Sequence, residues 1–461
     1  MMKNRLCCRI FVLIVATQIC VQQRVHPTAP PTNVVPKIAV SSEKNSKIEK
    51  ITRAKQLKTN RGIKLFFVKN DSTQLTHIAI NFRNSGAAYM EKGKTGIPSF
   101  YSSTIYCGSG KYSRTQRQKA FSDISCSINC SADQDSLSFF ITMPKVVTQE
   151  AIPLISSFMN EPRFEKDEVR DILASSHSPY AAFNDQMYAL IFKSHPYGNG
   201  FYGKDEDFVN FTVDDLKKYK DKYLTVANAE VCICGNLTDN EAIQLVDNIL
   251  SKTKNGEANA DTIVDSVPEI KPDVKRYYVD EVQSTITFVQ KGVPKKSAKR
   301  YAAMLLYRII GSGEFKSRMI SELRTKLGLI YGGHISAEHM KHADLHHGML
   351  RTDNSKVEKA INAMKNILKQ ARSGSITQSD LDFAKHNLKG STLVKMRTSY
   401  SVFHFFYGAM IRDLGENALE DFLNGIEAVT LKDVHDIAQE LLDEKNILFM
   451  VVGGKCEQKK P

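Results

Sequence analysis

The chain has 461 residues, 42% of them hydrophobic and 25% charged, a composition typical of a globular protein of two or three domains. Its formal net charge is +13, but residues 1–62 hold 12 Lys and Arg against 2 Asp and Glu, which accounts for +10. Because only +3 is left for the rest of the chain, the charge does not indicate a nucleic-acid-binding protein, and we expect no nucleic-acid partner.

The N-terminal segment, residues 1–21, has the pattern of a secretory signal peptide. Lys3, Arg5 and Arg9 form a basic start, and a run of about twelve apolar residues follows. Such a run is too short to span a bilayer comfortably, so the sequence predicts an exported protein without a stable membrane span. The periplasm is the expected destination. A mitochondrial presequence is the alternative, because the first acidic residue is Glu43, but a transit peptide would be amphipathic.

A polar linker at 22–50 leads to the first folded region, which the sequence predicts at 51–251. Alternating or continuous apolar runs next to turn residues predict β-strands, and apolar residues at three- and four-residue spacing predict helices. Two strands are predicted on either side of Asn60–Gly62, a third at 76–87, and a further pair within 126–144. Helices are predicted at 97–106 and 147–160, and another helix is predicted to end at Pro179.

The helix predicted at 97–106 carries three serines at a spacing that matters for metal chemistry. Ser99, Ser102 and Ser103 lie on one face, because residues three and four apart in a helix are neighbours. An H-x-x-E-H helix uses the same positions for two metal ligands and a general base. Since serine supplies neither, the sequence predicts the geometry of a metal site without its ligands.

Two segments of the chain share the same order and spacing, which indicates an internal duplication. One runs over residues 212–235 and the other over 430–453. Each begins with a Thr N-cap that Asp follows three residues later, continues as an amphipathic helix and ends in an apolar strand that reaches Gly. The polar segment 252–275 separates the copies. The sequence therefore predicts two homologous α+β domains, the second at 276–457.

The second half is predicted to contain a strand at 283–292 and helices at 299–310, through 317–326, and at 355–372, 377–396 and 401–412. Gly311 and Gly313 follow the first of these helices. They are interpreted either as a flexible glycine-rich loop that meets a substrate or as a plain helix C-cap.

Five histidines, His334, His339, His342, His346 and His347, are concentrated in this half, and His339 and His342 are assigned to a polar loop between strands. Their spacing matches no familiar zinc pattern, so adventitious metal binding is plausible, whereas a designed metal site is the less favoured alternative. The nine cysteines show no disulfide framework or zinc cluster and are interpreted as small buried side chains.

Five stretches in matching order resemble the insulinase-type family of metallopeptidases, the group of pitrilysin and the mitochondrial processing peptidase. They begin at Gly93, Asn160, His195, Gly311 and Glu427, and the resemblance covers residues 55–455. It implies two homologous α/β sandwich domains, each an antiparallel-rich sheet packed with helices. That architecture agrees with the duplication seen in the sequence.

In catalytic members of the family, the H-x-x-E-H motif falls on Ser99, Ser102 and Ser103. The resemblance implies two histidine ligands for zinc and a glutamate base at these positions, and a third ligand, also glutamate, in the region 171–183. That region contains no Glu here. We therefore expect that this chain binds no zinc and does not hydrolyse peptides alone.

The resemblance also identifies a feature that this chain retains. Arg324 and Tyr331 match the pair that the family's second half directs at the substrate in the active site of the first half. Arg can bind substrate carbonyl groups, and Tyr can bond a developing oxyanion. The resemblance thus implies that this chain is the non-catalytic subunit of a heterodimer with a zinc-binding paralogue. The two chains would close around an extended peptide, which is held by strand addition to a sheet edge.

Two other functions are open at this point. One is a structural or peptide-binding protein with no role in proteolysis, like the core subunits of respiratory complexes that share this fold. The less favoured one is an independent hydrolase that uses the histidine-rich segment.

Overall fold

The protein is described here by a computed structural model, which covers residues 53–175, 179–202, 211–266, 268–312 and 316–454. The predicted signal peptide at 1–21, the linker at 22–50 and Gly313 lie outside the described residues.

The strands form two large sheets and one small hairpin. They are β1 (Lys55–Lys58), β2 (Lys64–Lys69), β3 (Leu75–Arg83), β4 (Gly108–Ser109), β5 (Tyr112–Ser113), β6 (Ser127–Ala132), β7 (Ser136–Pro144), β8 (Ala229–Gly235), β9 (Asp273–Tyr277), β10 (Gln283–Lys291), β11 (Gly332–His339), β12 (Asp344–Asp353) and β13 (Leu448–Val452).

The first sheet has the strand order β1-β2-β8-β3-β7-β6, and the second has the order β9-β13-β10-β12-β11. In each sheet one pair is parallel, β2 with β8 and β9 with β13, and the other pairs are antiparallel. The second sheet therefore repeats the first, apart from β1. This topology, with helices on the sheets, confirms the predicted α+β fold with two antiparallel-rich sheets.

The helices pack on these sheets. They are α1 (Ile97–Thr104), α2 (Arg114–Asp123), α3 (Thr148–Asn160), α4 (Lys166–Ser175), α5 (Pro179–Phe192), α6 (Val213–Tyr223), α7 (Asp239–Ile249), α8 (Lys299–Tyr307), α9 (Val357–Arg372), α10 (Gln378–Lys395), α11 (Ser399–Ile411), α12 (Ala418–Ala428) and α13 (Leu431–Leu441). Two π-helical segments, Arg308–Ser312 and Met319–Lys326, lie between α8 and β11.

The capping pattern that suggested the duplication is present in both copies. The Thr212 hydroxyl accepts the backbone N–H of Asp215, and the Asp215 carboxylate accepts the backbone N–H of Thr212. Thr430 and Asp433 make the same pair of bonds at the start of α13. Each box satisfies backbone donors that would otherwise be unpaired at a helix start.

Helix α11 connects the second half to the first. It packs across β2, β3 and β8, and Phe403 and Phe406 are buried there against the first sheet. Because α11 is apolar on most of its surface, it can serve as a core element between the halves.

The structure corrects three sequence predictions. The helix before Pro179 ends at Ser175, and Pro179 is the first residue of α5, where a missing N–H is tolerated. The loop between β11 and β12 is only residues 340–343, so His339, which was predicted in that loop, is the last residue of β11, whereas His342 lies in the loop as predicted. Strand β9 begins at Asp273, inside the segment predicted as an inter-domain linker. Among the described residues, no helix is both long and apolar enough to cross a membrane.

Candidate functional site

Helix α1 is held in place by its apolar face. Phe100 and Tyr101 are buried, and the Tyr101 ring packs against Phe164 and Tyr219 at centroid distances of 5.6 and 5.3 Å. The helix lies against β6, α4 and α6. The three serines are only half-buried, as their position on the opposite face predicts.

The serine hydroxyls are bonded to the helix itself. Ser102 Oγ donates to the backbone carbonyl of Ser99 at 2.8 Å, and Ser103 Oγ donates to the same carbonyl at 3.1 Å. Serine in a helix commonly bonds a carbonyl three or four residues back. A neutral hydroxyl is not a usual zinc ligand and cannot replace a carboxylate base, so this face cannot perform zinc hydrolysis.

Helix α4 packs against α1 and includes the start of the region in which the resemblance placed a third ligand. Residues 176–178 of that region lie outside the described residues. In the part of the chain that is described, no group of three or more His, Cys, Asp or Glu side chains is arranged to hold a metal ion.

Cys107 is the cysteine nearest in sequence to α1, and its environment makes it unreactive. The side chain is buried. Burial first, and then the neighbouring Glu168 carboxylate, raise the pKa of the Cys107 thiol to about 12. Since the thiolate is the reactive form, Cys107 is not a catalytic nucleophile at neutral pH.

Arg324 lies near the end of the π-helical segment Met319–Lys326 and is exposed. Among the described residues, its guanidinium makes no hydrogen bond or ion pair with another side chain. Its backbone carbonyl accepts the N–H of Gly328, whose φ of +59° turns the chain toward β11. Glycine adopts this left-handed conformation without strain, which fits the turn between Arg324 and Tyr331.

Tyr331 directly precedes the edge strand β11 and is 51% exposed. Its hydroxyl donates to Asp353 Oδ1 at 2.8 Å, and this hydrogen bond raises the pKa of Tyr331. Tyr331 is therefore a neutral hydrogen-bond donor at physiological pH. Both predicted substrate-binding residues are accessible on one short segment.

Gly311 is neither a flexible loop nor a helix C-cap. It is buried inside the π-helical segment Arg308–Ser312. A Cβ atom at this position would lie 2.5 Å from the Ile335 side chain, so glycine allows the segment to approach β11 closely. The chain at Gly311 is therefore helical rather than a loop or a C-cap, because packing on a residue distant in sequence sets its conformation. Contact between this segment and a substrate stays a prediction.

The histidines of the second half do not converge on one site. His339 Nδ1 lies 2.5 Å from Asp344 Oδ1, whereas His347 Nε2 lies 3.0 Å from the Ser336 hydroxyl. His346 is buried, and that burial lowers its pKa to about 3, so it is neutral at pH 7.

His342 instead joins segments from both halves. Its ring nitrogens lie 3.0 Å from carboxylate oxygens of Asp261 and Asp265, and its backbone N–H donates to the Tyr197 hydroxyl at 3.0 Å. With 6% exposure it is enclosed by these partners. Its contacts are those of a structural residue.

One contact beside α1 has no counterpart in the sequence predictions. The backbone N–H of Cys130 in β6 donates to the hydroxyl of Tyr106 at 2.7 Å. Tyr106 lies in the 3₁₀ turn Ile105–Cys107 that follows α1. No local pattern reveals this bond, since 24 residues separate its partners.

Two models of one protein family match this chain. The model of the insulinase family of peptidases, M16, matches residues 66–205, and the model of the M16 inactive domain matches residues 210–388. A Helicobacter pylori protein named a non-peptidase homolog, YmxG, is 22% identical over 406 residues, covering 86% of this chain and 93% of the relative. The uncharacterized zinc protease YmxG of Bacillus subtilis is 19% identical over 416 residues, covering 86% and 98%.

Solved structures share the fold. A peptidase M16 inactive domain from Pseudomonas fluorescens superposes with a TM-score of 0.79 at 19% identity, covering 88% of this chain and 100% of that one. A protease from H. pylori gives 0.78 at 18% identity, with the same coverage. A chain of complex III2 from Candida albicans gives 0.72 at 14% identity, covering 87% and 95%.

Proposed function

Because the chain belongs to the M16 (insulinase) peptidase family and has serines at the zinc-motif positions, we propose that it is the non-catalytic subunit of a two-chain zinc peptidase. It pairs with a zinc-binding family member and contributes Arg324 and Tyr331 to that partner's active site. One observation carries this proposal: the Arg324 guanidinium is exposed and, within the described residues, makes no side-chain bond of its own. A guanidinium that is exposed and has no partner in its own chain is available to bind another molecule.

The two side chains have complementary roles in this proposal. The Arg324 guanidinium, a planar fork of donors, binds carbonyl groups of an extended peptide and positions it. The Tyr331 hydroxyl would leave Asp353 and donate to the oxyanion that develops on the attacked peptide carbonyl. Zinc and the general base belong to the partner.

The proposal includes export to the periplasm, supported by the basic and apolar leader at 1–21. A mitochondrial location is the alternative. It is tested by fractionating cells that produce a tagged full-length chain.

A second candidate function is that of a structural or peptide-binding protein that takes no part in proteolysis. The likeness to a chain of complex III2 from C. albicans, with a TM-score of 0.72, favours it. The name of the H. pylori relative, a non-peptidase homolog, fits either function.

The test is a pull-down with the tagged chain from its own cells, followed by a peptidase assay of the recovered complex. The complex is then reconstituted with a chain carrying Arg324→Ala and Tyr331→Phe. We expect kcat/KM to fall at least about tenfold, because removing one oxyanion donor alone costs a factor of about a hundred or more in well-studied enzymes.

The matched control carries Arg397→Ala and Tyr278→Phe, two exposed residues that the proposal does not use. It should retain full activity. Unchanged activity in the Arg324 and Tyr331 variant would refute the assigned roles, and a stable complex without a zinc peptidase would favour the structural function.

A further inference from the structure

Strand β6 forms one edge of the first sheet, and its pairing shows which backbone groups face outward. At the hairpin with β7, Asp133 N–H donates to Ser136 O at 2.9 Å, and Cys130 lies opposite Phe139. Hydrogen-bonded positions alternate along an antiparallel pair, so Ser127, Asn129 and Ser131 bond to β7. The N–H and C=O groups of residues 128, 130 and 132 therefore point away from the sheet.

Outward groups on an edge strand are the ones that an added strand would use. Cys130 lies in the middle of the three outward positions of β6. Its N–H is the group that donates to the Tyr106 hydroxyl, at 2.7 Å. The hydroxyl oxygen thus occupies the place that a carbonyl oxygen of an added strand would take.

Tyr106 is held in this position from several sides. Its ring packs against Phe158 at a centroid distance of 5.5 Å, and the Arg117 guanidinium lies 5.4 Å from the ring centroid. Arg117 Nη2 also donates to the Tyr106 backbone carbonyl at 3.1 Å. The hydroxyl is therefore presented to β6 by an anchored side chain.

The Tyr106 side chain also excludes an added strand by volume. Neighbouring strands lie about 4.8 Å apart, so a peptide that paired with β6 would run through the position of the phenol. The bond to Cys130 and the addition of a strand at the centre of β6 are mutually exclusive.

The second half has a bond of the same kind at its own edge. Met340 N–H donates to Ala343 O at 3.0 Å, and the alternation from there places the carbonyl of Ile335 on the outer side of β11. The Ser312 hydroxyl donates to that carbonyl. Strands β6 and β11 are thus each bonded at an outward position by a side-chain hydroxyl, from Tyr106 and Ser312 respectively.

We propose that Tyr106 closes the β6 edge to strand addition, so that this chain takes up an extended peptide along β6 only when the Tyr106 side chain is displaced. Tyr106 is the residue that decides whether the edge is available, and a peptide held in a two-chain complex lies on the partner's sheet. The inference concerns the chain by itself and does not depend on the roles of Arg324 and Tyr331.

The test uses the purified full-length chain without a partner and fluorescein-labelled β-casein, an unfolded protein, as the probe. We expect wild type to show no saturable binding up to the highest probe concentration, and Tyr106→Ala to bind saturably with a Kd at least about tenfold below that concentration. Hydrogen exchange of residues 127–132 in the variant should slow when the probe is added. Tyr278→Ala, which removes an exposed tyrosine elsewhere, should behave as wild type.

A second variant keeps the proposal testable if Tyr106→Ala does not fold. Tyr106→Phe retains the packed ring but loses the acceptor, so the Cys130 amide should exchange about fivefold faster or more than in wild type. Unchanged exchange in Tyr106→Phe would overturn the proposal. So would probe binding by wild type that protects residues 127–132, or a folded Tyr106→Ala chain that does not bind.

Discussion

His77 should make the contact between the two halves sensitive to acid. It lies in β3 with 1% exposure, and its ring nitrogens are each 2.9 Å from a hydroxyl, Thr142 Oγ1 on β7 and Ser399 Oγ at the start of α11. Its ring also stacks on Phe403 of α11 at a centroid distance of 5.6 Å. Both hydroxyls can bond a neutral imidazole, and no carboxylate is among the bonded partners of the ring.

Burial first, and then the nearby His404, lower the pKa of His77 from 6.5 to about 4. The unfolded chain therefore binds a proton at His77 near pH 6.5, whereas the folded chain binds it only near pH 4. Stability from this group is fully present above pH 6.5 and is lost as the pH falls toward 4. The loss is about 2 kcal/mol between pH 7 and pH 5, and about 3 kcal/mol in total.

The assay is urea unfolding at pH 7 and pH 5, followed by far-UV circular dichroism because the chain contains no Trp. The free energy of unfolding of wild type is compared with that of His77→Gln, which cannot be protonated. Subtracting one free energy of unfolding from the other removes the contribution of other titrating groups. One such group is Asp133, because burial raises its pKa to about 6.

The free energy of unfolding of wild type, relative to that of His77→Gln, should fall by about 2 kcal/mol on going from pH 7 to pH 5. His386→Gln replaces an exposed histidine and controls for the introduction of glutamine. A difference that is the same at both pH values would refute the reasoning, because His77 would then carry no buried-state penalty for its charge.

Two further predictions concern the zinc-motif positions and the second sheet. A chain carrying Ser99→His, Ser102→Glu and Ser103→His should lose its zinc on mild chelation and show no peptidase activity alone, since the region 171–183, where the resemblance places the third ligand, contains no Glu. Stoichiometric zinc by metal analysis together with peptide cleavage would contradict this. Gly348→Ala should destabilise the fold by roughly 1–3 kcal/mol, because its Cβ would lie 2.1 Å from a buried phenylalanine ring. Gly390→Ala in α10 is the control: apart from its own helix, its Cβ would have no neighbour within 4 Å among the described residues, so it should stabilise the fold by up to about 1 kcal/mol. Urea unfolding measures the free energy of unfolding of both glycine variants. Equal changes in the two variants would contradict the prediction and show that the phenylalanine ring moves aside.

Features set by local chemistry could be predicted from the sequence. The capping boxes at Thr212 and Thr430 depend on residues three apart, and the hairpin within 126–144 depends on alternation and a polar turn. The serine face of α1 likewise follows from helical spacing alone.

Features set by contacts between residues distant in sequence could not be predicted from the sequence. The π-helical segment at Arg308–Ser312 looks like an ordinary apolar helix end, and only its packing on Ile335 explains Gly311. His339 was predicted in a loop, yet it is the last residue of β11, and its Nδ1 atom lies 2.5 Å from Asp344 Oδ1 on the neighbouring strand. Tertiary packing outweighs local propensity at these positions.

The structure also explains how the zinc motif could be lost while its helix persists. The stability of α1 comes from its buried face, where Tyr101 is fully enclosed, and the hydroxyls of Ser102 and Ser103 bond to the helix backbone. Replacing ligands on the half-buried face therefore removes the chemistry at little cost to the fold. Arg324 is exposed too, so the fold does not require a guanidinium there. Arg324→Ala should therefore leave the stability of the chain nearly unchanged, and the activity of the reconstituted complex is the property that it should change.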